Sequence, residues 1–257
     1  MLTSEDRQYL LELEEAIRKK DLSAMIAWAV FWTVEHPEEL LSPRQADRVV
    51  EYYGLGVQNG DALSCLNLGA LYYTGVIVEQ DFSKAVGLYQ MAARLAEEEE
   101  EDSIAALALS NLGYCYYYGR DIPVDYAKAY HCFLYSALKF HDVTSYYKAG
   151  DMYRYGNYVG KDEDIAFLFY QKAEEALDEE NDPEHIAADV YKRLGECRLY
   201  GIGTQKSPFL ARAYLHRSEQ EYKQKVLRND PFAPGLLVKV QSLLNEVENE
   251  IYKRKDR

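Results

Sequence analysis

Four times along the chain a glycine is followed six residues later by a second, at Gly69 and Gly75, Gly113 and Gly119, Gly150 and Gly156, and Gly195 and Gly201. Sixteen residues after the first glycine of each pair stands an alanine: Ala85, Ala129, Ala166 and Ala211. Coincidence at one offset in four segments defines an internal repeat. A repeat constrains a fold more than local propensity does, because each unit buries its apolar face only against its neighbours. The residue before each first glycine is Leu68, Leu112, Ala149 or Leu194, and three residues after it come Tyr72, Tyr116, Tyr153 and Arg198, so the fourth unit has drifted. Twelve residues after it stand Asp81, Asp125 and Asp162, each opening an apolar stretch of helical spacing as an N-cap aspartate does. Each unit reads as helix A, a glycine-ended turn, and helix B.

The two glycines have different physical tasks. The first lies in mid-helix, where glycine costs about 1 kcal/mol in propensity, and its retention points to a neighbouring helix passing too close for a side chain. The second ends helix A in the left-handed conformation, and the alanine supplies the small contact on helix B. Successive first glycines are 44, 37 and 45 residues apart, so two units carry extra length. One extension holds Glu97 to Glu101 and Asp102, the other Asp178 to Pro183, and both are expected after helix B as a longer helix or a loop. Consecutive carboxylates on a helix point in different directions, so the acidic run reads as a solvated face rather than a metal site.

The unit Ala62 to Gly69, Leu71-Tyr72, Gly75, Asp81, Lys84-Ala85, Tyr89 and Ala92-Ala93 resembles the Sel-one-like repeat (SLR) family, relatives of tetratricopeptide repeats. Leu112-Gly113, Tyr116, Gly119, Asp125, Lys128-Ala129 and Ala137 match again, as do Gly150, Tyr153, Gly156, Asp162, Ala166, Tyr170 and Ala173. The resemblance implies an all-α fold, an α/α superhelical solenoid of antiparallel helix pairs with capping helices. The expected organisation is one continuous domain. Residues 1–60 form N-terminal cap helices and a degenerate repeat, with Trp28, Phe31 and Trp32 facing inward; 61–220 form four helix pairs; and 221–257 form a C-terminal cap helix. Leu237, Val240, Leu243, Leu244 and Val247 give that last helix its apolar stripe. Secreted members of the family often staple a cysteine four residues before the first glycine to one at the end of the preceding helix B. Cys65 takes the first of those places, but no cysteine precedes it.

Composition and motif searches narrow the function. With 43 acidic against 29 basic residues, a net charge of -14 repels phosphate backbones and anionic lipid, so neither nucleic acid nor membrane is an expected partner. The polar start of the chain, the absence of a long apolar run and the unstapled thiols Cys65, Cys115, Cys132 and Cys197 point to a reduced, cytoplasmic protein. His36, His131, His141, His185 and His216 are scattered without an HExxH, so no metal is expected. Gly54-Leu-Gly56 and Gly201-Ile-Gly203 do not open a helix after a strand, so no nucleotide cofactor is expected. The basic tail Lys253, Arg254, Lys255 and Arg257 reads as a complement to a helix C-terminus. No nucleophile and base pair emerges, and the reading is non-enzymatic.

In tetratricopeptide proteins helix A lines the concave face. By that analogy the residues three before, one after and four or five after the first glycine face a partner. These positions hold Ser110, Tyr114, Tyr117 and Tyr118, then Tyr147, Asp151, Arg154 and Tyr155, then Lys192, Glu196, Leu199 and Tyr200. Tyrosine, with 24 copies against 8 Phe and 2 Trp, suits a half-wet surface or the space between helices. The expected function is a scaffold or adaptor holding a protein or peptide segment. The alternative is a regulatory subunit or inhibitor that engages a basic partner through its acidic surface.

Overall fold

Every regular element in the computed structural model, which describes residues 2–37, 39–119, 122–178, 185–228 and 230–255, is helical. The chain divides into two compact units, Met1–Asp125 and Tyr126–Arg257. The first holds α1 (Ser4–Arg18), α2 (Leu22–Val30) running into a π turn (Phe31–Glu35), α3 (Pro43–Gln58), α4 (Ala62–Thr74), α5 (Phe82–Glu98) and α6 (Asp102–Tyr118). The second holds α7 (Tyr126–Phe140), α8 (Val143–Tyr155), α9 (Glu163–Ala176), α10 (Ala187–Tyr200), α11 (Pro208–Leu227) and α12 (Ala233–Lys255).

Helices α4, α6, α8 and α10 are the A helices, and each stops at the second glycine of its pair. Gly75, Gly119, Gly156 and Gly201 have φ of 70, 62, 74 and 78°, and each donates its N–H to a carbonyl four residues back. Only a residue without Cβ enters that region cheaply. A second bond recurs in register: the N–H of Asp81, Asp125, Asp162 and Ser207 donates to the carbonyl of Tyr72, Tyr116, Tyr153 and Arg198 at 2.8 to 3.0 Å. This clip ties the start of helix B to the last turn of helix A, so α5, α9 and α11 run antiparallel to α4, α8 and α10. Asp81 and Asp162 then cap their helices through the N–H of Lys84 and Ile165. In the drifted fourth unit Ser207 takes the same role through Leu210.

The first glycines mark close crossings. A Cβ on Gly69 would stand 2.9 Å from the Tyr89 ring, on Gly150 2.7 Å from Tyr170, and on Gly195 2.7 Å from Leu215. Gly113 is buried in α6. The alanines Ala85, Ala129, Ala166 and Ala211 are fully buried. The acidic extension differs in part from expectation. It lengthens α5 to Glu98, turns through Glu100 at φ 61°, and also adds a turn at the front of the next A helix, so that α6 begins at Asp102. An acidic first turn suits the positive end of a helix dipole. Most of the second extension, 179–184, lies outside the described residues, as do Arg257 and the side chains of Arg254 and Lys255.

Both ends are covered. Leu13, Trp28, Val49, Tyr52 and Tyr53 pack with Leu68 and Leu71 of α4; Phe31 is buried and Trp32 half-buried. Arg48 lies 4.2 Å over Trp28 while pairing bidentately with Glu14 at 2.7 and 3.1 Å, which fastens α1 to α3. At the other end Ala233, Val240, Leu244, Val247 and Ile251 of α12 close over Ala188, Leu199, Ala211, Leu215 and Tyr222, with Leu237 and Leu243 at the margin. Among the described residues no helix is long and apolar enough to cross a membrane.

None of the four cysteines is joined in a disulfide, and burial pushes the Cys65 thiol up to about 11 and that of Cys197 up to about 12. Thiols held protonated are poor nucleophiles. Adding a reductant is therefore expected to leave the melting temperature unchanged; a marked drop on reduction would reveal a structural disulfide and refute the thiol assignment.

Candidate interaction face

Each A helix presents a different set of side chains at the same register, and in the second unit that register decides which residues meet. The positions one and four beyond the α8 glycine, Asp151 and Arg154, lie beside positions two before and one beyond the α10 glycine, Arg193 and Glu196. Arg193 grips Asp151 bidentately, Nε to Oδ1 at 2.7 Å and Nη2 to Oδ2 at 3.0 Å. Arg154 donates to Glu196 Oε2 at 2.6 Å. Tyr170 of α9 donates its hydroxyl to Asp151 Oδ1 at 2.7 Å, so the residue filling the Gly150 crossing also anchors the ion pair. Deeper in, Tyr222 donates to Asp189 Oδ1 at 2.7 Å, and Lys192 lies 3.5 Å from both Asp189 Oδ1 and the Tyr222 hydroxyl.

The electrostatics follow from this packing. Burial alone would raise the Asp151 carboxyl, but the Arg193 guanidinium, assisted by Lys148 and the Tyr170 hydroxyl, holds it below the ordinary carboxylate range. Burial pulls the ammonium groups of Lys148 and Lys192 down, while nearby acids work against it. Burial drives the Tyr170 hydroxyl far above its ordinary value, and the Asp151 charge adds to the shift. An ion network of this kind is costly to break and geometrically specific.

Five residues expected on an open groove sit elsewhere. Tyr147, Asp151 and Lys192 are 7%, 3% and 6% exposed. The reason is tertiary: cations and carboxylates of α8, α10 and α11 neutralise one another, and Tyr147 packs in the core beneath Arg193, 5.7 Å from its guanidinium. Ser110 and Leu199 are buried too. Arg154 and Glu196 are half-buried as a pair. Tyr155 remains open at 53% exposure, with Arg154 5.4 Å from its ring, and so does Tyr200 at 41%, its hydroxyl donating to Glu246 at 2.8 Å. In the first unit Tyr114 and Tyr117 are half-buried and Tyr118 is 49% exposed. Tyr118 stacks on Tyr114 at 6.1 Å and meets Tyr117 edge-on at 5.0 Å.

Sequence reasoning missed Arg193, Asp189 and Tyr222, and read Tyr170 only as a repeat position, because pairing between helices roughly 20 to 40 residues apart leaves no local pattern. One signal was available. Tyr118, Tyr155 and Tyr200 all occupy the last position of an A helix, immediately before the left-handed glycine. Tyr116 and Tyr153, two residues earlier, turn inward and bond Gln90 and Tyr130 at 2.9 and 2.7 Å. Among the described residues no three His, Cys, Asp or Glu side chains converge as metal ligands would.

A family model described as Sel1 repeat matches residues 62–96, 106–139, 143–176 and 188–220, together more than half of the chain. No curated protein matches this chain. Among solved structures, a Sel1 repeat protein from Oxalobacter formigenes is similar at 20% identity and a TM-score of 0.62, over 91% of this chain and 88% of that one. A protective antigen of uropathogenic Escherichia coli strains, described as displaying an SLR fold, is similar at 20% identity and a TM-score of 0.56. That match covers 92% of this chain, which spans 56% of the antigen's length.

Proposed function

This chain belongs to the Sel1 repeat family, whose repeats generally mediate protein–protein interaction, and from that premise we propose that it is a non-enzymatic scaffold or adaptor. Its partner, a protein or peptide segment, is met by A-helix tyrosines of each compact unit taken by itself, Tyr118 in the first and Tyr155 and Tyr200 in the second. The observation that carries this reading is the register of Tyr118, Tyr155 and Tyr200. Three A helices end in a tyrosine 41 to 53% exposed, each beside half-buried aromatic or charged neighbours. Tyrosine offers a large, stiff apolar body with a polar tip at low entropic cost, and interface anchors are enriched in it. Tyr114, Tyr117, Arg154 and Glu196 complete the contact set; Tyr147, Asp151 and Lys192 support it from beneath. Four cysteines that form no disulfide support a reducing, cytoplasmic setting.

The test begins with a partner recovered from the native host and measured against single alanine variants. Tyr118→Ala, Tyr155→Ala and Tyr200→Ala are expected to weaken binding by ~2 kcal/mol or more while stability changes within about 0.5 kcal/mol. Tyr116→Ala and Tyr153→Ala are expected instead to lower the melting temperature. Full-strength binding by all three rim variants, correctly folded, would move recognition off this face.

A further inference from the structure

In the second unit a cleft of about 550 Å³ opens between α7 and α9 over the first turn of α8. Its walls are Leu138 and Leu168, 59% and 53% exposed, whereas the repeat-core leucines Leu194 and Leu215 are buried. What sets these two apart from the other exposed leucines is that both flank one hollow and give it apolar walls. Tyr146 and Phe169 form the floor, their rings 6.2 Å apart, and Phe169 stacks on Tyr153 at 5.7 Å. Because Tyr146 belongs to the close-packed core of this unit, the hollow is preformed.

The mouth carries the polar groups. His141 Nδ1 and the Tyr146 hydroxyl share a hydrogen bond of 2.9 Å, and Lys172 Nζ pairs with Glu175 at 2.6 Å, leaving the ammonium two further donors. The neighbouring carboxylates are engaged by protein donors: Asp142 by the Ser145 N–H at 2.7 Å, Glu174 by the Tyr214 hydroxyl at 3.0 Å. Of the charged side chains that line the cleft, Lys172 is the cation and Glu175 the carboxylate paired with it, and wall helix α7 carries no carboxylate. Size limits the occupant as well. Small-molecule sites span about 300 to 1,000 Å³, while two turns of helix, about 11 Å long and 10 Å across, displace more than this cleft holds.

We infer that the cleft is a binding site for a small organic anion, an aromatic or branched apolar body carrying one acidic group. The body lies between Leu138 and Leu168 over Phe169, and the acidic group meets Lys172 and His141. This site is separate from the A-helix tyrosines and does not depend on their role.

The 257-residue chain titrated with 8-anilinonaphthalene-1-sulfonate, and in parallel with the uncharged N-phenyl-1-naphthylamine, tests the assignment by fluorescence and calorimetry. One saturable site is expected for each probe. Leu138→Gln and Leu168→Gln, both at exposed positions, are expected to weaken both probes about tenfold. Lys172→Gln is expected to weaken the sulfonate by up to about fivefold and leave the uncharged probe unchanged. Val238→Gln, an exposed apolar position on α12, is expected to alter neither. Circular dichroism and melting curves identify any variant that has lost its fold. Absence of saturation, or equal binding by the two leucine variants and the parent, overturns the site. A Lys172→Gln effect on both probes or on neither overturns its preference for an anion.

Discussion

With Gly150 replaced by leucine, the protein is expected to lose ~1 to 3 kcal/mol of stability or more, and to melt roughly 3 to 10 °C lower. The Cβ would meet two atoms of the Tyr170 ring at 2.7 and 2.8 Å and the Ala166 carbonyl oxygen at 3.2 Å. The ring cannot swing aside cheaply, since it is fully buried and its hydroxyl is tied to Asp151. The carbonyl belongs to the backbone of α9, so relief requires the helices to separate. Gly87 supplies the contrast. It also lies in mid-helix, but nothing stands within 4 Å of its would-be Cβ. There Gly87→Ala is expected to stabilise by up to ~1 kcal/mol through helix propensity alone. Equal melting of Gly150→Leu and the parent would remove the close crossing from the account of the repeat.

The largest effect is expected from Asp151→Asn. That change leaves the Arg193 guanidinium buried beside a neutral amide, and breaking a buried pair from one side costs ~3 to 5 kcal/mol. Tyr170→Phe, which removes one hydrogen bond to the same carboxylate, is expected to cost about 1.5 to 3 kcal/mol. The pH dependence gives an independent readout. In the folded protein the Asp151 carboxyl ionises below its ordinary value of 3.8, so as pH falls the unfolded chain takes up this proton first. The stability it contributes is fully present well above 3.8 and is lost as pH falls through that value toward the folded one. Urea unfolding at neutral pH and near pH 3 should show a smaller acid loss in Asp151→Asn than in the parent. Identical acid losses in the two proteins would mean that the carboxylate is not held by Arg193 as described.

Much of this molecule is legible one unit at a time. The glycine pairs mark the crossings and the A-helix ends, and the aspartates at 81 and 162 mark the starts of α5 and α9, because crossing glycines and caps act over a few residues. Ser207 shows how the drifted unit keeps the same geometry with a different oxygen. The apolar stripe of α12 could be read for the same reason, since amphipathic period and burial coincide on a terminal helix. The register of the A-helix tyrosines was also readable, but their exposure was not. Tyr147 and Tyr155 lie on one helix at positions assigned to the same face, yet one is buried and the other is 53% exposed.

What the sequence by itself determined is the repeat: where each helix turns, which positions must be small, and that stacked pairs bury a shared core. Only the tertiary structure decided that Asp151 belongs to Arg193 rather than to a partner, and that Leu138 and Leu168, thirty residues apart, face one hollow. The physical reason is range. Capping, glycine conformation and helical period are interactions within a turn or two of chain, and they leave their mark on spacing. Ion pairs and clefts are made between helices brought side by side, where the identity of a neighbour depends on crossing geometry and on which charges can afford to leave water.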